Sequence, residues 1–347
     1  MWPKIKLYIL SIMKNERAGI IASAIKGVLR VLSWFYAVGI KIVDYGYKTG
    51  IRRKHKVSVP VVSVGNITLG GTGKTPFTMF LADHFVKTGR KPAVLIRGYG
   101  NDERKMLRDE LPDVPIFIGQ DRVASAQAAV EDGRDILLLD DGFQHRRIMR
   151  DLNVLMLDGD SLFEGGSLFP RGVLREPVSS LERADVLVLS KVDKMDEGLK
   201  DEAIRKLKAI APGKLIVTAR HKPVFLKDVT GAVYPAENLK GQNVCLVSGI
   251  ADPDYFAFAV ENLGARIVSR CDYTDHHSYG QKDINRIHAA SRGEDVDKVV
   301  TTKKDYVKMQ LLDLSSIEEK LFILDVEMEI VEGKEDFVGR LTSIING

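Results

Sequence analysis

The sequence predicts an α/β fold: a parallel sheet flanked by helices, a second and smaller α/β domain, and an N-terminal amphipathic helix that associates with a membrane. Three observations carry this. Short apolar runs begin at Val59, Ala93, Ile116, Ile136, Val154, Val186 and Leu215 and alternate with helix-periodic stretches, which is how buried parallel strands read. A second alternating set starts near Val244, with a helix from Pro253 to Leu263, a strand at 266–269, a helix at 281–291, and strands at 298–301 and 321–327. A basic, apolar segment precedes both. The 347 residues suit two domains.

The first segment, residues 1–56, holds 12 Lys/Arg and two acids, Glu16 and Asp44, a charge of +10 that leaves −6 on the rest of a chain totalling +4. Apolar residues recur at helical spacing from Ile20 to Val43, with Lys26 and Arg30 one turn apart. Lys26, Arg30 and Lys41 leave at most the ten residues 31–40 uninterrupted, too few to span a bilayer. The pattern fits a helix lying among lipid headgroups, and equally a helix covering the neighbouring domain with its long cations solvated. Residues 57–220 read as the core domain, 221–242 as a linker containing Pro223, Gly231 and Pro235, and 243–330 as the smaller domain. Residues 331–347 read as a terminal helix packing back on the core. At 45% apolar and 28% charged the chain is neither disordered nor a polytopic membrane protein. Cys245 and Cys271 lack metal-ligand spacing, which excludes a disulfide framework or zinc site and suits the cytoplasm.

Between the first strand and the helix through Phe77, Phe80, Leu81 and Phe85, stopped at Gly89, lies Gly65-Asn66-Ile67-Thr68-Leu69-Gly70-Gly71-Thr72-Gly73-Lys74-Thr75. Strand, glycine-rich turn, Lys-Thr and helix are the context of a P-loop, so the core domain reads as P-loop NTPase-like. Backbone N–H groups of Gly70, Gly71, Thr72 and Gly73 turn inward on phosphate oxygens. Lys74 reaches the outer phosphates, Thr75 offers a hydroxyl to Mg²⁺, and the helix N-terminus adds its positive end. The first glycine of the generic motif is replaced by Thr68, and Leu69 stands where dimerising ATPases carry a lysine. The acidic partner is expected at the end of a later strand, and the apolar run 136–139 ends in Asp140-Asp141. One of the two faces Mg²⁺, directly or through water, and the other caps the turn.

Asp140-Asp141-Gly142-Phe143-Gln144-His145-Arg146-Arg147, read with the loop from Val64 to Pro76, resembles the tetraacyldisaccharide 4′-kinases of lipid A biosynthesis. Arg97-Gly98-Tyr99-Gly100, Asp121-Arg122-Val123, Leu174-Arg175-Glu176-Pro177, Ser248-Gly249-Ile250-Ala251 and Thr302-Lys303-Lys304-Asp305 follow in the family's order, so the resemblance covers nearly the whole chain. It implies transfer of the γ-phosphoryl of ATP to the 4′-hydroxyl of a tetraacylated disaccharide 1-phosphate, giving lipid IVA, with ATP and Mg²⁺ bound. Such a substrate resides in a membrane leaflet. The resemblance therefore implies that the first segment contacts the cytoplasmic face of the bacterial inner membrane, peripherally or monotopically, with neither nucleic acid nor a protein as partner.

The resemblance also implies roles residue by residue. Lys74 and Asp141 act in catalysis, and Gln144 joins the loop around the nucleotide. Arg97, Tyr99, Arg122, His145 and Arg175 line the substrate cleft, and Thr75, Asp140, Asp141 and Glu176 hold Mg²⁺. The family pairs an aspartate from a Gly-Asp-Glu-Pro run with a histidine of the second domain. Here Arg108-Asp109-Glu110-Leu111 keeps Asp-Glu and loses the flanking Gly and Pro, and the Asp275-His276 order selects His276 over His277. Asp109 and His276 thus form the expected dyad, the carboxylate holding one imidazole tautomer and raising its basicity. Where the family has Leu-Pro-Ala-Gly this chain has Phe169-Pro170-Arg171-Gly172, and Arg171 receives no role. The competing reading is a membrane-peripheral GTPase switch. Ser190-Lys191-Val192-Asp193 follows an apolar strand as a guanine-reading N/T-K-x-D does, with the wrong first residue.

Overall fold

The computed structural model describes residues 8–346 without 9, 10, 14, 16, 99, 100, 164, 165 and 294, and describes 101–105 and 346 by backbone alone. The central block consists of β1 (Val61–Gly65), β2 (Pro92–Ile96), β3 (Ile116–Ile118), β4 (Ile136–Leu139), β5 (Leu152–Asp158) and β6 (Val186–Ser190), with every pairing parallel. These are the apolar runs of the sequence, and every residue of β1, β2, β4 and β6 is buried, as a sheet covered on both faces requires. The long helix α1 (Ile20–Lys48) precedes the block, and α2 (Lys74–Lys87), α3 (Asn101–Glu110) and α4 (Arg122–Glu131) connect its strands. Phe77, Leu81 and Phe85 of α2 fill one face together with Val62, Val94 and Leu138. Truncating one of these phenylalanines to alanine should cost about 3–5 kcal/mol.

After α5 (Glu197–Ile210) the chain enters β7 (Leu215–Asp228), which begins parallel to β6 and continues past it as an antiparallel ribbon with β12 (Leu321–Glu332). The stretch 221–242, expected to be a linker, is therefore mostly ordered: it holds the second half of β7, then β8 (Val233–Pro235) and a short 3-10 turn. Pro223 sits beside the register shift in the β7–β12 ladder, a place where a missing backbone N–H is tolerated. The smaller unit adds β9 (Asn243–Ser248), α6 (Pro253–Asn262), β10 (Arg266–Asp272), α7 (Gln281–Ser291), β11 (Lys298–Thr302) and α8 (Lys303–Met309). Among the described residues the twelve strands form one sheet, in the order β10-β9-β11-β12-β7-β6-β5-β1-β4-β2-β3 with β8 beside β7. Finally α9 (Lys334–Asn346) returns to the first block, where Phe337 meets Phe77 with ring centroids 5.7 Å apart.

This topology aims both halves at one place. β7 leaves the first block at its C-terminal edge, and β12 runs back towards that edge. β9, β10 and β11 are parallel to β12 or to one another, so their C-terminal ends also point at the edge where β1, β4 and β6 end. Ligands of open α/β sheets bind outside such strand ends.

α1 lies along the first block. Ser33 Oγ donates to the Leu168 carbonyl at 2.8 Å, Tyr36 Oη donates to the Arg175 carbonyl at 2.9 Å, and Asp44 pairs with Arg146. Away from these contacts α1 exposes Ile20, Ile21, Val28, Phe35 and Ile42, and Val31 and Trp34 are exposed on the side beside segment 166–171. By length and composition alone this helix of 29 residues is long and apolar enough to cross a membrane, contrary to the expectation drawn from its three cations.

Candidate active site

β1 delivers the chain at Gly65, and α2 begins nine residues later at Lys74. Gly73 caps α2 with φ 83°, and a Cβ there would lie 3.0 Å from the His221 ring, so conformation and space both demand glycine. Side chains brace the loop. Asn66 Nδ2 donates to Thr72 Oγ1 at 3.0 Å, Gln144 Nε2 donates to the Asn66 carbonyl at 2.8 Å, and Ser190 Oγ donates to the Thr72 carbonyl at 3.1 Å. Gln144, expected at the nucleotide, here supports the loop's backbone. Gly70 and Gly71 stand exposed at its crest.

β4 ends one residue before Asp140. Its Oδ2 accepts from Thr75 Oγ1 at 2.9 Å and its Oδ1 from Thr78 Oγ1 at 3.2 Å. Burial, with the Asp141 charge in second place, pushes its pKa up against these hydrogen bonds and Lys74. Asp141 turns away with φ 49°, so the two carboxylates separate. Asp141 Oδ1 lies 3.6 Å from Lys74 Nζ, and Arg175 Nη1 donates to both of its oxygens at 3.0 Å. Burial works to raise the Asp141 pKa, but Lys74 and Arg175 outweigh it and hold the carboxyl below its usual range. An acidic pole, Thr75 with Asp140, thus stands beside a mixed one in which Lys74 and Arg175 share Asp141.

The remaining expected residues divide. Buried Arg122 donates to the Asp141 carbonyl at 3.3 Å, gripping the turn. His145 is held at a pKa of about 4 by burial and then by Arg122 and Arg150, so it is neutral near pH 7. Its Nε2 is buried without a hydrogen-bond partner among the described residues. Arg97 is exposed just beyond β2, and Tyr99 lies outside the described residues. Glu176, expected at the metal, is engaged by arginines. Its Oε2 accepts from Arg146 at 3.0 Å, Ser180 at 2.9 Å and Arg183 at 2.7 Å, and an oxygen with three donors is poorly placed to ligate a cation. Through Arg146 it instead ties Asp44 of α1 to the first block.

This site is that of a nucleoside triphosphate kinase by its loop and its two carboxylates, and comparison with known proteins identifies which. The family model described as "Tetraacyldisaccharide-1-P 4'-kinase" matches residues 25–346. The chain belongs to that family. Among its relatives is the tetraacyldisaccharide 4'-kinase of Bdellovibrio bacteriovorus, 34% identical over 343 residues, 92% of this chain and 98% of that protein. Another, from Syntrophus aciditrophicus, is 33% identical over 334 residues, 87% of this chain and 89% of the relative. The crystal structure of LpxK from Aquifex aeolicus in complex with ATP is similar with a TM-score of 0.72 and 28% identity, covering 92% of this chain and 99% of that one. This kinase is accordingly an ATP-dependent enzyme of lipid A biosynthesis.

Within the kinase, the expected dyad is not a contact. Asp109 is exposed in the last turn of α3, and among the described residues no hydrogen bond or ion pair joins it to His276. His276, 50% exposed with φ 59°, lies with Nε2 3.6 Å from Asp275 Oδ2. His277 is instead locked, 3.0 Å from Asp283 Oδ2 and stacked on Tyr273. The first turn of α8 connects the two neighbourhoods, since Lys303 pairs with Glu110 and Lys304 with Asp275 at 3.1 Å. The guanine-like motif is occupied as well. Lys191 is sealed between Asp158 and Asp252, and Asp193 accepts from Tyr255 Oη at 2.8 Å. A base-reading aspartate committed to a tyrosine does not favour a GTPase. Sequence reasoning missed Thr78, His221 and Tyr255, whose partners lie far away in the chain.

Proposed function

We propose that the chain transfers the γ-phosphoryl group of ATP to the 4′-hydroxyl of an acylated glucosamine disaccharide 1-phosphate at the surface of the cytoplasmic leaflet. The observation carrying this reading is the head of α2, where Lys74 lies 3.6 Å from Asp141 and Thr75 lies 2.9 Å from Asp140. Phosphoryl transfer is catalysed by alignment and by charge placed around the moving group. Lys74 exchanges Asp141 for phosphate oxygens, while Arg175 and Arg122 hold two further positive charges against the same turn. The Thr75 hydroxyl and the Asp140 carboxylate are hard oxygen donors and fit Mg²⁺. When bound, that ion neutralises phosphate charge.

His276 takes the proton of the acceptor hydroxyl, and a carboxylate of α3 orients it. Of the two Asp-Glu pairs on α3, Asp102-Glu103 opens the helix directly after the 97–100 run, whereas Asp109 lies about 10 Å further along the axis. We take Asp102, in the pair that follows the 97–100 run most closely, as the partner in preference to the expected Asp109. The contacts of Ser33, Tyr36 and Asp44 with the first block support a helix lying on the bilayer rather than through it, with Trp34 and Phe35 towards the lipid.

Incubating the purified chain with ATP, Mg²⁺ and a tetraacylated disaccharide monophosphate should give an acceptor heavier by one phosphate. Hydrolysis of ATP without that product, or equal transfer from GTP, rejects the reading.

A further inference from the structure

Between α1 and the segment 166–171 runs a groove of about 500 Å³, lined by Arg30, Val31, Trp34, Leu168 and Arg171 among others. Arg171 is only 8% exposed. Its Nη2 donates to Asn15 Oδ1 at 2.7 Å, but its Nε and Nη1 are buried without a hydrogen-bond partner among the described residues. Unspent N–H groups on a buried guanidinium are costly, and among the described lining residues none is acidic. Exposed Arg30 adds a second guanidinium. Two cations, two unused donors of one planar fork and an apolar wall of Trp34, Val31 and Leu168 are complementary to a phosphate monoester carried on an acylated molecule.

The groove is joined to the active site by four residues. Beyond Arg171, Val173 accepts from the Leu69 N–H of the P-loop at 2.7 Å, and Arg175 grips Asp141. Four residues span at most about 14 Å, the scale of a disaccharide. We infer that Arg171, with Arg30, binds the anomeric phosphate of the lipid acceptor while the opposite end of the disaccharide presents its hydroxyl to the P-loop. This rests on the kinase reading above and assigns a function to Arg171, which stands where the family's pattern has alanine.

The test compares acceptors with and without the anomeric phosphate, in neutral detergent micelles, for the wild type, Arg171→Ala and Arg171→Lys. Arg171→Ala should raise KM for the phosphorylated acceptor about tenfold or more with kcat within twofold, as loss of a charge-assisted hydrogen bond predicts. Arg171→Lys, which keeps the charge without the fork, should fall between, and the dephosphorylated acceptor should not distinguish the three proteins. Equal losses on both acceptors, or no loss on either, overturn the assignment. So does an Arg171 effect seen only as weaker sedimentation with phosphatidylglycerol vesicles, which would assign the site to bulk headgroups. Binding of the phosphorylated acceptor, followed through Trp34 emission, separates this from the kinase reading. If the wild type transfers no phosphate yet binds that acceptor in an Arg171-dependent way, the activity is wrong and the anion site stands.

Discussion

Lys74 opens α2 after β1 and Lys191 directly follows β6, both beyond the C-terminal edge of the same sheet, and both face carboxylates. Lys74 is 14% exposed and lies 3.6 Å from an Asp141 that is itself 42% exposed. Lys191 is 3% exposed and touches Asp158 and Asp252 at 2.5 Å each. The first can exchange its carboxylate for an incoming phosphate, because water screens the exchange and the distance is loose. The second cannot, because moving it strands charges in a dry place. It joins β6 of the first block to the cap of α6 in the second, next to the loop that cradles the nucleotide. One lysine therefore serves chemistry and the other geometry, and separation and burial divide the roles.

The sharpest test of this division is a pair of isosteric substitutions. Lys74→Met should lower phosphate transfer about 10³-fold with the unfolding midpoint little changed. Lys191→Met should cost about 3–5 kcal/mol of stability, read from urea unfolding, while leaving kcat within tenfold at a temperature where it is folded. If Lys191→Met abolished transfer at unchanged stability, the comparison would break.

A smaller effect concerns the proton acceptor on the far side of the cleft. His276→Ala and Asp102→Ala should each lower kcat about 10²-fold, the double variant losing far less than the product. Asp109→Ala should stay within tenfold, and a large loss there would restore the dyad read from the sequence.

The smallest effect links the two lysines through His221, whose ring packs on Gly73. Burial, and then the Lys191 charge, hold its imidazole at a pKa of about 4, against about 6.5 in an unfolded chain. The folded protein thus keeps it neutral where the unfolded chain takes up a proton. Stability should be full above about pH 6.5 and fall towards pH 4, by about 1.4 kcal/mol per pH unit for this group. His145 adds a smaller, solvent-screened share. In urea midpoints against pH, His221→Gln should flatten the slope, and an unchanged slope would mean that the ring is not held neutral.

Much of this was legible in the sequence, because strands covered on both faces become unbroken apolar runs and a phosphate loop needs its glycines in order. β1, β4 and the head of α2 could be read for that reason. α3 could not: its ten residues NDERKMLRDE carry seven charges, and Leu107 is its one fully buried side chain among those described. Without apolar periodicity the helix left no signal, and the sequence alone could not place its two Asp-Glu pairs relative to His276. The ribbon half of β7 read as a linker because its partner β12 lies about a hundred residues on and its residues are only half-buried. Glu176 sits on a family motif, but the arginines that occupy it become visible only once Arg146 and Arg183 are folded around it.

Tyr36 donates a hydrogen bond from its hydroxyl to the carbonyl of Arg175, the same residue whose guanidinium grips Asp141. Trimming α1 to obtain a conveniently soluble enzyme would thus remove a strut from the catalytic turn along with the lipid-facing surface. A shortened protein that still turned over would have to find another way to steady that arginine.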